Sequence, residues 1–463
     1  MMKVNGYQGQ TIGVMGLGKS GLSAARALLS GGARVVAWDD RETARDLAKD
    51  LGADVMDLGS PETWESTSPS RLILSPGIPH THPEPHPSAQ EARARQVPII
   101  GDVDLLAANR GESKMIGVTG TNGKSTTTAL LGHILQQARF EVAVGGNLGT
   151  PALDLERLND NGCYLMEMSS YQLELTPTAV FSVAILLNIS PDHLDRHGGM
   201  EGYVQAKERI FHAQGPNDIS VCGVDDDISL GIYDRLTRTH ARPCVPISGH
   251  RFVPKGVYVE SGWLVDDREG RREPIIQMEK LPALAGTHNA QNAAAAAAAA
   301  LSLDVPRKVL LAALRSFPGL AHRQERLGRI GPVTFINDSK ATNAEAAAKA
   351  LATYQDIHWI IGGVSKDGGL ADALPFVDTV KAAYCIGQSA EDFANQLAGK
   401  TDVTLCGDLV TATKAAFKAA SEAGGGIVLL SPAAASFDQY PNFEVRGAAF
   451  HKAFNDLKSE AGV

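Results

Sequence analysis

Eight residues, Thr119-Gly120-Thr121-Asn122-Gly123-Lys124-Ser125-Thr126, have the types and spacing for phosphate chemistry. Glycines at 120 and 123 let successive backbone N–H groups turn toward one point. A helix opening here would add the positive end of its dipole. Lys124 would reach the β- and γ-phosphates as a point charge, and the Ser125 hydroxyl would ligate Mg²⁺. The sequence departs by one position from the G-x-x-x-x-G-K-S loop, because Val118 stands where the first glycine belongs. Gly120 sits three residues before Gly123, which tightens the loop. Met115–Val118 reads as the strand that must deliver it. Thr127–Gln137, with Leu130, Leu131, Ile134 and Leu135 on one side, reads as the helix that must follow. This arrangement predicts binding of ATP or GTP.

A second glycine turn lies near the start of the chain. Thr11–Met15 reads as a strand, Gly16-Leu17-Gly18-Lys19-Ser20-Gly21 as the turn, and Leu22–Ser30 as the helix. Arg34–Trp38 is the next strand, ending at Asp39-Asp40, about 20 positions downstream, where an acid can meet a ribose hydroxyl. The layout predicts a diphosphate-containing ligand, and the loop alone does not choose between NAD and a sugar nucleotide. Arg71–Leu74 then leads into Ser75-Pro76-Gly77, a rigid turn at the carboxyl edge of the sheet, where such folds bind ligands. The Pro- and His-rich run 79–87 reads as an exposed loop rather than a metal site.

Other chemical groups fall at strand ends. Glu167 closes the apolar run Tyr164–Met166, and a strand-terminal acid beside a phosphate loop predicts a Mg²⁺ ligand. The long apolar stretch 180–188 runs into Asp192-His193-Leu194-Asp195-Arg196-His197, a concentration of charge that reads as a site. Over 200–213 a helical stripe of Tyr203, Val204, Ile210 and Phe211 has Lys207 in its middle. Burial there would lower the lysine's pKa and leave a nucleophilic amine, whereas snorkelling would keep it an ordinary cation. The spacing leaves both open. Residues 102–113 read as a polar boundary, and 220–281 as short strands and turns. His288, Asn289 and Asn292 precede the run Ala293–Ala300, a strong helix former, and would stand near a nucleotide base. From about Gly319, strands alternate with helices again, each strand ending in polar or glycine residues.

At 463 residues the chain is too long for one core and predicts about three domains. Its net charge of −9 argues against nucleic acid or an anionic membrane as the main partner. Cys163, Cys222, Cys244, Cys385 and Cys406 have neither metal nor redox spacing, as expected in a reducing compartment. The first residues lack an apolar leader, and no apolar run is long enough to span a bilayer. A cytoplasmic monomer without membrane insertion is expected. A nicotinamide-dependent oxidoreductase would use the first glycine turn but leave the second idle. A nucleotide switch would not need the charged strand ends of the last third.

Taken together, these stretches resemble the Mur ligase family over nearly the whole chain. The resemblance rests on 119–126, Glu167-Met-Ser-Ser170, 192–196, Lys207, His288-Asn289, Pro318-Gly-Leu-Ala-His-Arg323, Asn337-Asp-Ser-Lys-Ala-Thr-Asn343 and Ser431-Pro-Ala-Ala-Ala-Ser-Phe-Asp438. The last two are those of the D-glutamate-adding member. The resemblance implies three α/β domains: a Rossmann-like domain over 1–102, a central P-loop domain over 103–319 and a Rossmann-like C-terminal domain over 320–463. It implies ATP, Mg²⁺ at two sites, UDP-N-acetylmuramoyl-L-alanine and D-glutamate as ligands. By motif, Gly120 through Thr126, Asn292, Arg323 and Asp338 would bind ATP. Ser125 and Glu167 would hold one Mg²⁺, and His193 with a carbamylated Lys207 the second. Lys124, His193 and Lys207 would be catalytic. Gly16, Leu17, Gly18, Lys19, Ser20, Asp39, Asp40, Ser75, Pro76, Gly77 and Asn147 would hold the UDP substrate. Thr342, Lys366, Ser436 and Phe443 would receive D-glutamate.

Overall fold

The computed structural model of the protein describes residues 2–147, 149–238, 243–284, 286, 288–365 and 368–462. Among these residues the chain forms three sheets, distributed over two compact units. The first unit comprises 1–281 and 287–316; the second comprises 282–286 and 317–463.

The first unit opens with a five-stranded parallel sheet in the order Asp54–Val55, Arg34–Trp38, Thr11–Met15, Arg71–Leu74, Ile99–Ile100. Beyond their first residues, Thr11, Arg34 and Arg71, its central strands are apolar because helices cover both faces. The helix after the first glycine turn begins at Lys19, three residues earlier than the apolar periodicity suggests. Residues 102–109, read above as a polar boundary, instead form a buried helix. Asp104 is 4% exposed there and accepts from the Thr178 and Ala179 N–H groups and the Thr178 hydroxyl.

The same unit carries a nine-stranded sheet whose heart is Val183–Leu186, Lys114–Thr119 and Cys163–Glu167, all parallel. The register pairs Val118 with Glu167 and Thr119 with Leu186. Three loops therefore leave one sheet edge side by side, which brings the glycine loop, Glu167 and the 188–197 segment together. Behind them, the helix His288–Ser302 packs against the helix Lys124–Gln137. Ala293–Ala300 are all 0% exposed, so the alanine run is a helix buried on every side, where larger side chains would hold the layers apart. Between 219 and 277 the strands come with a helix over Asp227–Arg238 that the reading of strands and turns omits. The Lys207 helix is also shorter than its stripe: Met200–Glu208 is α-helical and Arg209–Phe211 continues as a 3₁₀ turn.

The second unit is built on a six-stranded sheet in the order Glu325–Ile330, Val333–Asn337, Gly426–Leu430, Ile357–Gly362, Val380–Ile386, Asp402–Gly407. Only the first pair is antiparallel. Parallel strands leave their carboxyl ends on one edge, so the loops after Asn337, Gly362 and Leu430 lie together.

Candidate active site

The phosphate loop is held from both sides. Gly123 takes φ +85°, and a Cβ there would meet Asn292 Oδ1 at 2.1 Å, so only glycine fits. Asn292 is 3% exposed and also accepts from the Thr127 hydroxyl. Its side chain is thus placed on the loop itself. Thr121 N–H donates to Asn188 O at 2.9 Å, and Asn122 N–H donates to Asn188 Oδ1 at 2.9 Å. Lys124 Nζ folds back onto Gly120 O at 2.8 Å and Thr121 O at 2.9 Å.

Lys207 does not snorkel. It is 2% exposed, and its Nζ donates to the same Gly120 carbonyl at 2.8 Å. Burial pushes its pKa down to about 7; repulsion from Lys124 acts the same way, and Asp192 opposes both. The Tyr203 ring lies 4.8 Å from Nζ, and the Tyr203 hydroxyl hydrogen-bonds the Thr121 hydroxyl at 3.0 Å. Tyr203, which the stripe assigned to the core, is therefore also a loop contact.

Glu167 is 2% exposed. Its Oε1 accepts from Asn147 Nδ2 at 2.9 Å, while its Oε2 is buried without a partner among the described residues. An unpaired buried carboxylate oxygen at a phosphate loop is unfavourable unless a cation completes it. With the nearly buried Ser125 hydroxyl, it offers the hard oxygen donors that Mg²⁺ takes. His193 precedes the short helix Leu194–His197 at φ 51°, with a half-exposed ring 3.4 Å from Asp192 and tilted at 47° to the Tyr171 ring, 5.0 Å between centroids.

Behind His193 lies a network that ties Arg196 and His197 of the charged run to Glu174 and His80. Glu174 Oε1 pairs with His197 Nδ1 at 2.9 Å, and its Oε2 pairs with Arg196 at 3.2 Å and His80 at 3.1 Å. Burial raises the Glu174 carboxyl, but the His197 and His80 contacts and the Arg196 charge more than offset it and hold it at about 2. Residues 79–87 are therefore not simply an exposed loop: the His80 side chain is 13% exposed and tied to Glu174 at the end of the helix Ser170–Glu174. Arg196 and His197 belong to the charged run 192–197 that the sequence marks as a site; their partners Glu174 and His80 had no such signal.

At the first glycine turn, Gly16 has φ +84°, and a Cβ on Gly21 would lie 1.8 Å from Gly16 O. The Ser75 hydroxyl donates to Gly16 O at 2.7 Å, so the Ser75-Pro76-Gly77 turn clasps the loop. Asp39 accepts from Leu17 N–H at 2.7 Å and from Arg41. Burial raises its pKa, but the Arg41 and Leu17 hydrogen bonds bring it to about 2. Both carboxylate oxygens thus have partners within the protein. Lys19 and Asp40 are exposed at the loop margin.

In the second unit, Asp338 is 4% exposed and accepts from the Ser431 hydroxyl at 2.7 Å and Gln324 N–H at 3.1 Å. Burial raises its pKa to about 7 against the pull of those bonds and of Arg323. Ser339 Oγ donates to Phe443 O at 2.8 Å, which joins the 337–343 loop to the start of the last helix. Ser436 is buried, and Thr342 and Phe443 are partly exposed. Lys366 lies outside the described residues.

Three family models match the chain: the Mur ligase MurD-like N-terminal domain over 10–101, the Mur ligase middle domain over 118–300 and the Mur ligase glutamate ligase domain over 322–434. A UDP-N-acetylmuramoylalanine--D-glutamate ligase of Caulobacter sp. (strain K31) is 46% identical over 468 residues, covering 100% of this chain and 99% of the relative. The protein of the same name from Rhodospirillum rubrum is 48% identical, covering 97% and 95%. Among solved structures, UDP-N-acetylmuramate-alanine ligase MurC from Thermotoga maritima shares the fold with TM-score 0.56 at 19% identity, covering 99% of this chain and 100% of that one.

Proposed function

The chain belongs to the Mur ligase family, and from that premise we propose that it joins D-glutamate to UDP-N-acetylmuramoyl-L-alanine with ATP as phosphoryl donor. The reaction builds peptidoglycan precursor in the cytoplasm. A carboxylate is a poor electrophile, and its oxygen is a poor leaving group. Transfer of the γ-phosphoryl group to the alanyl carboxylate gives ADP and an acyl phosphate. The amine of D-glutamate then attacks the carbonyl carbon, and the tetrahedral intermediate expels phosphate as the amine loses its proton.

The observation that best supports this reading is the convergence of Lys124 and Lys207 on Gly120 O, with the unpaired Glu167 oxygen on the adjoining strand end. Negative charge moves through such a site at every step, and the Lys124 ammonium, with cations held by Glu167 and by Lys207 as its carbamate, would stabilise it. Lys124 would turn from its own loop to the phosphates. Ser125 and Glu167 would hold one Mg²⁺, and His193 with carbamylated Lys207 a second; when bound, the ions neutralise phosphoryl charge. Asn292, Arg323 and Asp338 would also bind ATP. The first glycine turn with Asp39, Asp40 and Ser75–Gly77 would hold the UDP moiety, and Asn147 the reacting end. Thr342, Lys366, Ser436 and Phe443 would hold D-glutamate. These roles divide over domains 1–102, 103–319 and 320–463.

Phosphate release coupled to product mass tests the reading. D-Glutamate with the UDP substrate should give both phosphate and an amide product, whereas L-glutamate, L-lysine and meso-diaminopimelate should give neither. Turnover with another amino acid and none with D-glutamate would overturn it.

A further inference from the structure

Arg446 is 1% exposed on the last helix of the second unit, Phe443–Glu460. Its Nε donates to Ser339 Oγ at 3.0 Å, and Nη2 donates to Ser339 O at 2.9 Å and Ala434 O at 3.1 Å. Nη1 reaches Gly362 O at 3.4 Å. These acceptors sit on three different segments: the loops following the strands Val333–Asn337 and Gly426–Leu430, and the last residue of the strand Ile357–Gly362. Each acceptor named is a neutral oxygen. Burial lowers the guanidinium pKa to about 10, so the group stays charged at neutral pH.

Burying an arginine is costly, and apolar packing could hold loops together at less cost. What a guanidinium adds is a planar fork of five donors in fixed directions, which can bind several chain segments in one register. The surroundings are shaped to it. Gly363 has φ +134°, and a Cβ there would lie 2.1 Å from Ala435 O and 3.2 Å from Arg446 Nη1. Val364 and Ala435 exchange backbone hydrogen bonds at 2.8 and 2.9 Å directly beside it. Ser339, which takes two of the arginine's bonds, donates its own hydroxyl hydrogen bond to Phe443 O. The loops fastened in this way carry Thr342 and Ser436, and the same helix begins at Phe443.

We propose that Arg446 is a positioning residue for the amino-acid substrate, setting the mutual register of the loops that carry Thr342 and Ser436 and of the helix start at Phe443. The proposal rests on the functional reading above. It separates the amino-acid site from the ATP group Asp338, which has its own anchors in Ser431 and Gln324.

The test is steady-state kinetics of the full-length protein and its Arg446→Lys and Arg446→Gln variants, each substrate being varied in turn. Both variants should raise the KM for D-glutamate at least roughly tenfold, because misplacement near 1 Å is enough for such losses. The KM values for ATP and the UDP substrate should change less than about twofold, with the smaller effect on kcat. A purely structural role would lower the active fraction and so kcat, without singling out one KM. Lysine keeps the charge but not the fork, so a normal D-glutamate KM in Arg446→Lys would overturn the proposal. If the arginine variants do not fold by circular dichroism, Ser339→Ala removes one fork acceptor and the Phe443 tie. It should raise the same KM several-fold, and no change would equally overturn the proposal. Wild-type protein that ligates no amino acid sinks both this inference and the functional reading; active wild type with unaltered variants sinks only this one.

Discussion

The two glycine turns have the same local architecture, a parallel strand delivering a loop that opens a helix, yet their surroundings differ in charge. The turn at 16–21 is buttressed by a carboxylate: Asp39 holds Leu17 N–H and is itself neutralised by Arg41, while Ser75 clasps Gly16 O. The turn at 119–126 is buttressed by two lysine amines on one carbonyl, Gly120 O: Lys124, and the buried Lys207, whose pKa is lowered to about 7. Backbone N–H groups and a helix start are therefore a shared base for anion binding. The side chains around them decide whether a site merely holds a phosphate or manages charge that moves. The first arrangement suits binding, and the second suits phosphoryl transfer.

The sharpest way to break this contrast is to remove its most unusual member. A buried amine near neutrality can add CO₂, and the resulting carbamate is an anion with carboxylate geometry suited to Mg²⁺. Lys207→Ala should lower amide formation by roughly a thousandfold, as loss of a fixed charge-stabilising group does. Acetate or formate should restore part of the rate. Lys124→Ala should be equally inactive but unresponsive to carboxylates, since the group it lacks is a cation. Lys207→Ala with full activity would mean that Lys207 plays no part in the chemistry.

Smaller effects should follow from breaking each turn separately. A Cβ at Gly123 meets Asn292 Oδ1 at 2.1 Å, and one at Gly21 meets Gly16 O at 1.8 Å. Gly123→Ala should raise the KM for ATP by roughly tenfold, and Gly21→Ala the KM for the UDP substrate by a similar factor, each with a loss of about 1–3 kcal/mol in stability. Gly18 has no heavy atom within 4 Å of its Cβ position, so Gly18→Ala should leave Tm nearly unchanged. Thermal melts and both KM values check the set. If Gly21→Ala altered the KM for ATP instead, the assignment of ligands to turns would be reversed.

What the chain discloses in advance follows the range of the interactions. Both turns were legible because strand, glycines and helix start are neighbours in sequence, and the local pattern fixes their geometry. Lys207 was half legible: the stripe located it, but whether it is buried depends on Gly120, 87 positions away. The Glu174–His80 pair spans 94 positions and the Arg446–Ser339 bonds 107, distances over which no periodicity runs. Asp102 and Asp104 misled because buried acids resemble exposed ones in sequence. The Asp227–Arg238 helix was missed where Ile228, Ile232 and Leu236, spaced four apart, were broken up by glycine and tyrosine.

The finest distinction between the turns lies in how two lowered pKa values act on stability. Asp39 titrates at about 2 in the fold against an ordinary 3.8, so its charged form is favoured by folding. Its contribution is complete above about pH 4 and disappears as the pH falls toward 2. Lys207 titrates at about 7 against an ordinary 10.5, so its charged form is disfavoured by folding. That penalty is complete below about pH 7 and is relieved as the pH rises toward 10.5. The same downward shift therefore stabilises at the acidic buttress and destabilises at the basic one. Denaturant unfolding across pH, comparing wild type with Asp39→Asn and Lys207→Met, reads the two terms separately. The stability advantage of wild type over Asp39→Asn should shrink only on acidification below pH 4. The deficit of wild type relative to Lys207→Met should shrink only on alkalinisation above pH 7. A Lys207→Met difference that stayed flat from pH 7 to 10 would mean that the lysine is solvated as an ordinary cation, and the two turns would no longer differ in the way argued here.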